Sequence, residues 1–109
     1  MATVYKVLGQ SNPSATTATT LYTVPASTAT VVSTITVANL GGSSATYRIS
    51  VRPAAAAQTN AMYIAYDVTV GANDTTTITL GITLATTDVV TVYASTATVA
   101  FNAYGSEIA

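Results

Sequence analysis

Tyr47-Arg48-Ile49-Ser50-Val51-Arg52 alternates apolar and polar side chains without a break, and Pro53 follows it directly. Successive side chains of an extended chain point to opposite faces, so this alternation reads as a strand with one buried and one wet face. Both arginines fall on the wet face. Proline has no N–H to give to a sheet, so the strand is expected to stop at Arg52.

The same period of two extends outward in both directions. Val31, Ser33, Ile35 and Val37 form one row, with Thr30, Val32, Thr34 and Thr36 opposite. Met62, Ile64, Tyr66, Val68 and Val70 form another, with Asp67 and Thr69 on its other side. Ala97, Val99, Phe101 and Ala103 alternate with Thr98, Ala100, Asn102 and Tyr104. Val, Ile, Thr and Tyr suit a pleated, half-buried surface. No comparable window puts apolar residues at helical spacing. The Ala run within 54–60 favours helix but is too short to hold one alone.

Leu40-Gly41-Gly42-Ser43-Ser44 and Gly71-Ala72-Asn73-Asp74 read as hairpin loops. Strands are predicted over about 3–8, 20–24, 29–39, 45–52, 61–70, 75–80, 88–94 and 97–104. Eight short strands at near-regular spacing predict an all-β chain, an antiparallel β-sandwich or jelly roll. No linker divides it, so residues 1–109 are read as one β-sandwich domain, with residues 1–20 containing an extended N-terminal arm. The predicted interior comprises Val31, Ile35, Val37, Ile49, Val51, Ile64, Tyr66, Val68, Ile78, Val90, Val92, Val99 and Phe101. Thr-x-Thr pairs recur from Thr17 to Thr98, but at irregular intervals, which excludes a solenoid with a fixed repeat.

Composition removes most chemistries. The chain has 109 residues, half of them hydrophobic, with no Cys and no His. That excludes a disulfide framework, a thiolate zinc site, a Cys nucleophile and the commonest general base. Lys6, Arg48 and Arg52 are the only cations, too few to neutralise a nucleic-acid backbone. No apolar run reaches the roughly 18 residues of a membrane span. The opening MATVYKVLGQ lacks the basic and long apolar segments of a secretory signal. The four acids, Asp67, Asp74, Asp88 and Glu107, read as surface and turn residues rather than a catalytic pair. Asn73, Asp74 and Asp88 are the weak candidates for calcium, in a chain without an Asp-rich loop. No catalytic, cofactor-binding or metal-ligating residue is assigned.

Only 6% of residues are charged, against about 25% in an average domain, and the net charge is −1. Copies of such a chain barely repel one another, which favours association. Tyr47 and Tyr66 alternate with core positions. Tyr63 and Tyr104 fall on the opposite faces and are the candidates for contacts between subunits, or for stacking on a glycan. Asn12 and Pro13, in the arm, are further interface candidates. The arm and the last residues, Gly105 to Ala109, are expected to contact other chains.

Three stretches carry a family likeness: Val4-Tyr5-Lys6-Val7-Leu8-Gly9-Gln10-Ser11, Thr19-Thr20-Leu21-Tyr22-Thr23-Val24-Pro25, and Val31 to Asn39. Tyr47-Arg48-Ile49-Ser50-Val51, Ala72-Asn73-Asp74-Thr75 and Phe101 to Glu107 continue it. In these strand-and-turn patterns the chain resembles small virion proteins of tailed bacteriophages, particularly cyanophage-type ones. The resemblance implies a structural virion component made in the bacterial cytoplasm: a head decoration (cement) protein, or a neck, tail or baseplate protein. It implies a β-sandwich, a homotrimer in the case of cement proteins, and capsid or tail proteins as partners. A glycan-binding module for host recognition is the competing reading.

Overall fold

The computed structural model describes residues 2–109. It is all-β, with eight strands in two four-stranded antiparallel sheets. The strands are β1 (Thr3–Ser11), β2 (Thr19–Thr23), β3 (Ala29–Asn39), β4 (Ala45–Arg52), β5 (Tyr63–Val70), β6 (Thr75–Leu84), β7 (Val89–Ala94) and β8 (Val99–Ile108). Sheet A has the order β1-β8-β3-β6, and sheet B the order β2-β7-β4-β5. The Ala run forms no helix. Ala54 and Ala55 instead take positive φ of 52° and 57° within a short 3-10 turn at Pro53–Ala55, and a second such turn follows at Asn60–Met62.

β4 and β5 alone are both consecutive in sequence and hydrogen-bonded neighbours. The two expected hairpins are therefore corrected. Leu40–Ser44 carries the chain from β3 in sheet A to β4 in sheet B, and Gly71–Asp74 carries it from β5 to β6. Asn39 explains the crossing. Its buried side-chain amide donates to the carbonyls of Ser43 and Val70 at 2.7 and 3.4 Å. Its Oδ1 accepts from the Gly41 N–H and the Thr98 hydroxyl at 3.0 and 2.9 Å. One residue thereby ties three loops at one end of the molecule, and the turn signals lead between sheets.

The buried side chains of both sheets form one core. Phe101 of β8 meets Tyr47 of β4 edge to face, with ring centroids 6.1 Å apart. Ile35, Val37, Ile49, Val90, Val92, Val99 and Phe101 are buried as expected. Val31, Val51 and Ile78 are only partly buried. In β3 a register shift between Val32 and Thr34 moves Ser33 out of the alternation, so Thr30 and Val32 point inward before it, and Ile35 and Val37 after it.

Ile64, Tyr66 and Val68 are the clearest correction, being 45%, 55% and 39% exposed. Tyr47 pairs with Val68 but Ile49 with Ala65, so β5 carries an extra residue opposite Arg48. Asp67 sits in that bulge at a φ of 50°. A bulge reverses which side chains face inward, and strict alternation misreads everything beyond it. Ala65 therefore packs on the core and Tyr66 turns outward.

The expected arm is corrected as well. Residues 3–11 form β1, paired along β8 from Thr3 opposite Ile108 to Ser11 opposite Phe101. The two ends of the chain bond each other, Ala2 N–H to Ala109 O and the reverse, both at 3.0 Å. Residues 3–11 are thus an edge strand of this chain's own sheet, paired on the side that faces β8.

Candidate functional site

Sheet B carries a built cluster on its outer face. Arg48 points outward from β4, beside Tyr93 of β7 and opposite the β5 bulge. Its guanidinium lies 4.3 Å from the centroids of both the Tyr66 and Tyr93 rings. Arg48 Nε donates to Asp67 Oδ1 at 2.7 Å and Nη2 to Oδ2 at 3.3 Å, a two-point grip. The Asp67 hydrogen bond holds the guanidinium pKa above its ordinary value, so Arg48 stays charged and its charge is matched. Tyr63 meets Tyr66 at 4.8 Å between centroids and 80° between planes. Asn60, Tyr63 and Tyr66 line an open cavity of about 330 Å³.

The loop from Pro53 to Met62 frames this corner and is held from below. Arg52 donates to the carbonyls of Ala56 and Ala55 at 2.7 and 3.2 Å. Asp88 Oδ1 accepts from Ala54 N–H at 2.9 Å, and Ser50 donates to Gln58 Oε1 at 2.6 Å. These bonds hold two alanines in the left-handed region, a conformation that costs a residue with a Cβ on the order of 1–2 kcal/mol.

The outer face of sheet A is of another kind. Following the register, it presents Tyr5, Val7 and Gln10 from β1; Ala100, Asn102, Tyr104 and Ser106 from β8; Thr34, Thr36 and Ala38 from β3; and Thr75, Thr77 and Thr79 from β6. None is charged. Lys6 and Glu107 belong to the same strands but alternate onto the other side. There Lys6 Nζ donates to Glu107 Oε1 at 3.1 Å and the Tyr22 hydroxyl to Oε2 at 2.5 Å. The Tyr22 bond, helped by Lys6 and opposed by partial burial, keeps the Glu107 carboxyl below the usual range.

The candidates from sequence fall apart in space. Tyr104 lies on the sheet A face, 36% exposed. Tyr63 lies on the sheet B corner. Asn12 is exposed and donates to the carbonyls of Ala97 and Val99 at 3.0 and 2.8 Å, and Pro13 is buried. Asp74 lies against Asn39 at one end of β3, whereas Asp88 lies beside Val24 and Ala85 at the other. That separation rules out the calcium site of Asn73, Asp74 and Asp88. Asp74 Oδ1 accepts from Thr75 N–H and Asp88 Oδ2 from Ala85 N–H, as turn acids do.

Sequence reasoning missed Arg48, Asn60, Tyr66 and Tyr93 as one cluster. The period of two carries no signal for it, since Asp67 fits the alternation of its own strand. Comparison with protein families, characterised proteins and solved structures finds no match to this chain.

Proposed function

We propose that this protein is a structural part of a tailed-phage virion, a head decoration (cement) protein that self-associates as a trimer and docks on the capsid. One observation carries the reading: the outer face of sheet A has no charged side chain. At about 4.8 Å between strands and 3.3 Å per residue, four strands of ten residues make a face of roughly 600 Å². That approaches the roughly 800 Å² per partner of a stable interface. Its Thr, Ala and Ser side chains lose little rotamer freedom on packing.

The fold is read as a jelly-roll β-sandwich. Orders β1-β8-β3-β6 and β2-β7-β4-β5 support that assignment, and the architecture recurs in viral capsid and lectin domains. Fold alone does not fix function, and the resemblance to small virion proteins supplies the particle.

The seam between copies is assigned to β6, the edge of sheet A. Natural edges are blunted by charge, brevity or bulges. β1 carries Lys6, β2 has five residues, and β5 carries Asp67 in a bulge. β6 runs for ten residues with no charge and no proline, and its one irregularity is the bulge at Leu80 and Gly81 opposite Ser33. In a trimer each β6 lies against a different surface of the next copy, and three such contacts close a ring. No catalysis is assigned, because each of the four acids is engaged by an arginine, a lysine, a hydroxyl or a backbone N–H.

Sedimentation velocity tests this reading. Native protein is expected to form a closed oligomer, Thr79→Lys on β6 a monomer, and Thr36→Lys an oligomer that fails to bind particles. A native protein that stays monomeric at high concentration overturns the proposal.

A further inference from the structure

We propose that Tyr63, Tyr66 and Asn60 form a binding site for a neutral saccharide on the face of the molecule opposite the docking surface. The rings stand almost perpendicular, 4.8 Å between centroids, and so form two walls of a corner. Their open cavity of about 330 Å³ is at the small end of the roughly 300–1,000 Å³ range of ligand sites. A pyranose offers an apolar C–H face and an equatorial rim of hydroxyls. The face suits a tyrosine ring, and the rim suits the phenol groups and the exposed Asn60 amide.

Three features show that the corner is built. Tyr66 is 55% exposed because the bulge at Asp67 turns it out of the core, and bulges commonly re-aim side chains beside binding sites. Arg48 lies at 4.3 Å from the Tyr66 ring and is gripped by Asp67, which fixes the ring's position. The framing loop is held in its left-handed turn by Arg52 and Asp88.

Charge selects the ligand class. The Arg48 guanidinium is matched by Asp67, so the corner offers no free cation to an acidic sugar and no free anion to an amine. A planar cation over the rings would meet Arg48. A neutral sugar meets no penalty from either group.

The test is titration of native protein with neutral oligomers of glucose, galactose, mannose and N-acetylglucosamine, with a sialylated oligosaccharide as the acidic comparison. Binding is read from the NMR shifts of the Tyr63 and Tyr66 rings. At least one neutral oligomer is expected to shift both. Tyr66→Ala should weaken that binding about tenfold, close to 1.4 kcal/mol, while Tyr66→Phe retains the stacking contact and most of the affinity. Tyr5→Ala, on the other sheet, should leave it unchanged. No shift at about 10 mM, a dissociation constant well above any useful affinity, overturns the site. Unaltered binding in Tyr66→Ala, or tighter binding of the sialylated probe, also overturns it. The measurement uses the free protein and is independent of assembly, so its failure leaves the virion reading standing.

Discussion

The Tyr22 hydroxyl donates a 2.5 Å hydrogen bond to Glu107, tying β2 in sheet B to β8 in sheet A across 85 residues of chain. The same hydroxyl lies 2.8 Å from that of Thr30, and Lys6 holds the other carboxylate oxygen of Glu107. Four side chains close one side of the inter-sheet space with a polar link, where the core behind them is apolar.

This link makes stability depend on pH at both ends of the scale. The Glu107 carboxyl is held low mainly by the Tyr22 hydrogen bond. A depressed acid contributes stability above its unfolded value of about 4.3, and that contribution disappears as pH falls through the folded value. Burial and then Glu107 push the Tyr22 phenol up to about 12. A raised phenol contributes fully below its unfolded value of about 10 and is lost as pH rises toward 12. Urea midpoints should therefore fall below about pH 5 and above about pH 10. Glu107→Gln should flatten the acid limb and Tyr22→Phe the alkaline one. Parallel profiles in native and variant proteins would contradict the role of this link.

Phe101→Ala should cost about 3–5 kcal/mol, because the ring is fully buried and its removal leaves a cavity against Tyr47. Urea denaturation measures the loss. A change under about 1 kcal/mol would mean that β8 presents its other face to the core.

Asn39→Ala should cost about 2–4 kcal/mol, since it removes the four hydrogen bonds of a buried amide, to Ser43, Val70, Gly41 and Thr98. Amide exchange should accelerate selectively in 40–44, 71–74 and 95–98. Uniform acceleration would show that Asn39 does not organise this end.

Gly105→Ala should be severely destabilising, because a Cβ there would collide with the Val31 carbonyl oxygen and push β8 from β3. The loss should exceed that of Gly42→Ala, whose Cβ would meet open space. Equal midpoints for the two variants would contradict the close approach of these strands.

Period and turn chemistry were enough to locate all eight strands, and β3 and β4 fall on their predicted bounds. The faces were legible wherever alternation ran unbroken, as in Tyr47 to Val51 and Val99 to Ala103. They were not legible in β5, where extra residues at Asp67 and at Ile64 break the register twice, nor in β3 before Ser33. Nothing in a period-two reading marks a bulge, which is fixed by the partner strand. The hairpins failed for a related reason. A Gly-rich turn fixes a change of direction, while the sheet entered afterwards is set by long-range bonds such as those of Asn39. The aromatic corner was out of reach because Tyr66 was given to the core and Arg48 to solvent.

The proposed role as a structural subunit of a phage particle is tested most directly by electron microscopy of purified tailed-phage particles produced with this chain present. Discrete density of this fold is expected on the outer head surface, as three-fold clusters with the uncharged face of sheet A against the shell. Density confined to a neck or tail ring would keep the structural role and contradict the head assignment. Absence from particles, with a monomer free in the host lysate, would overturn the virion assignment.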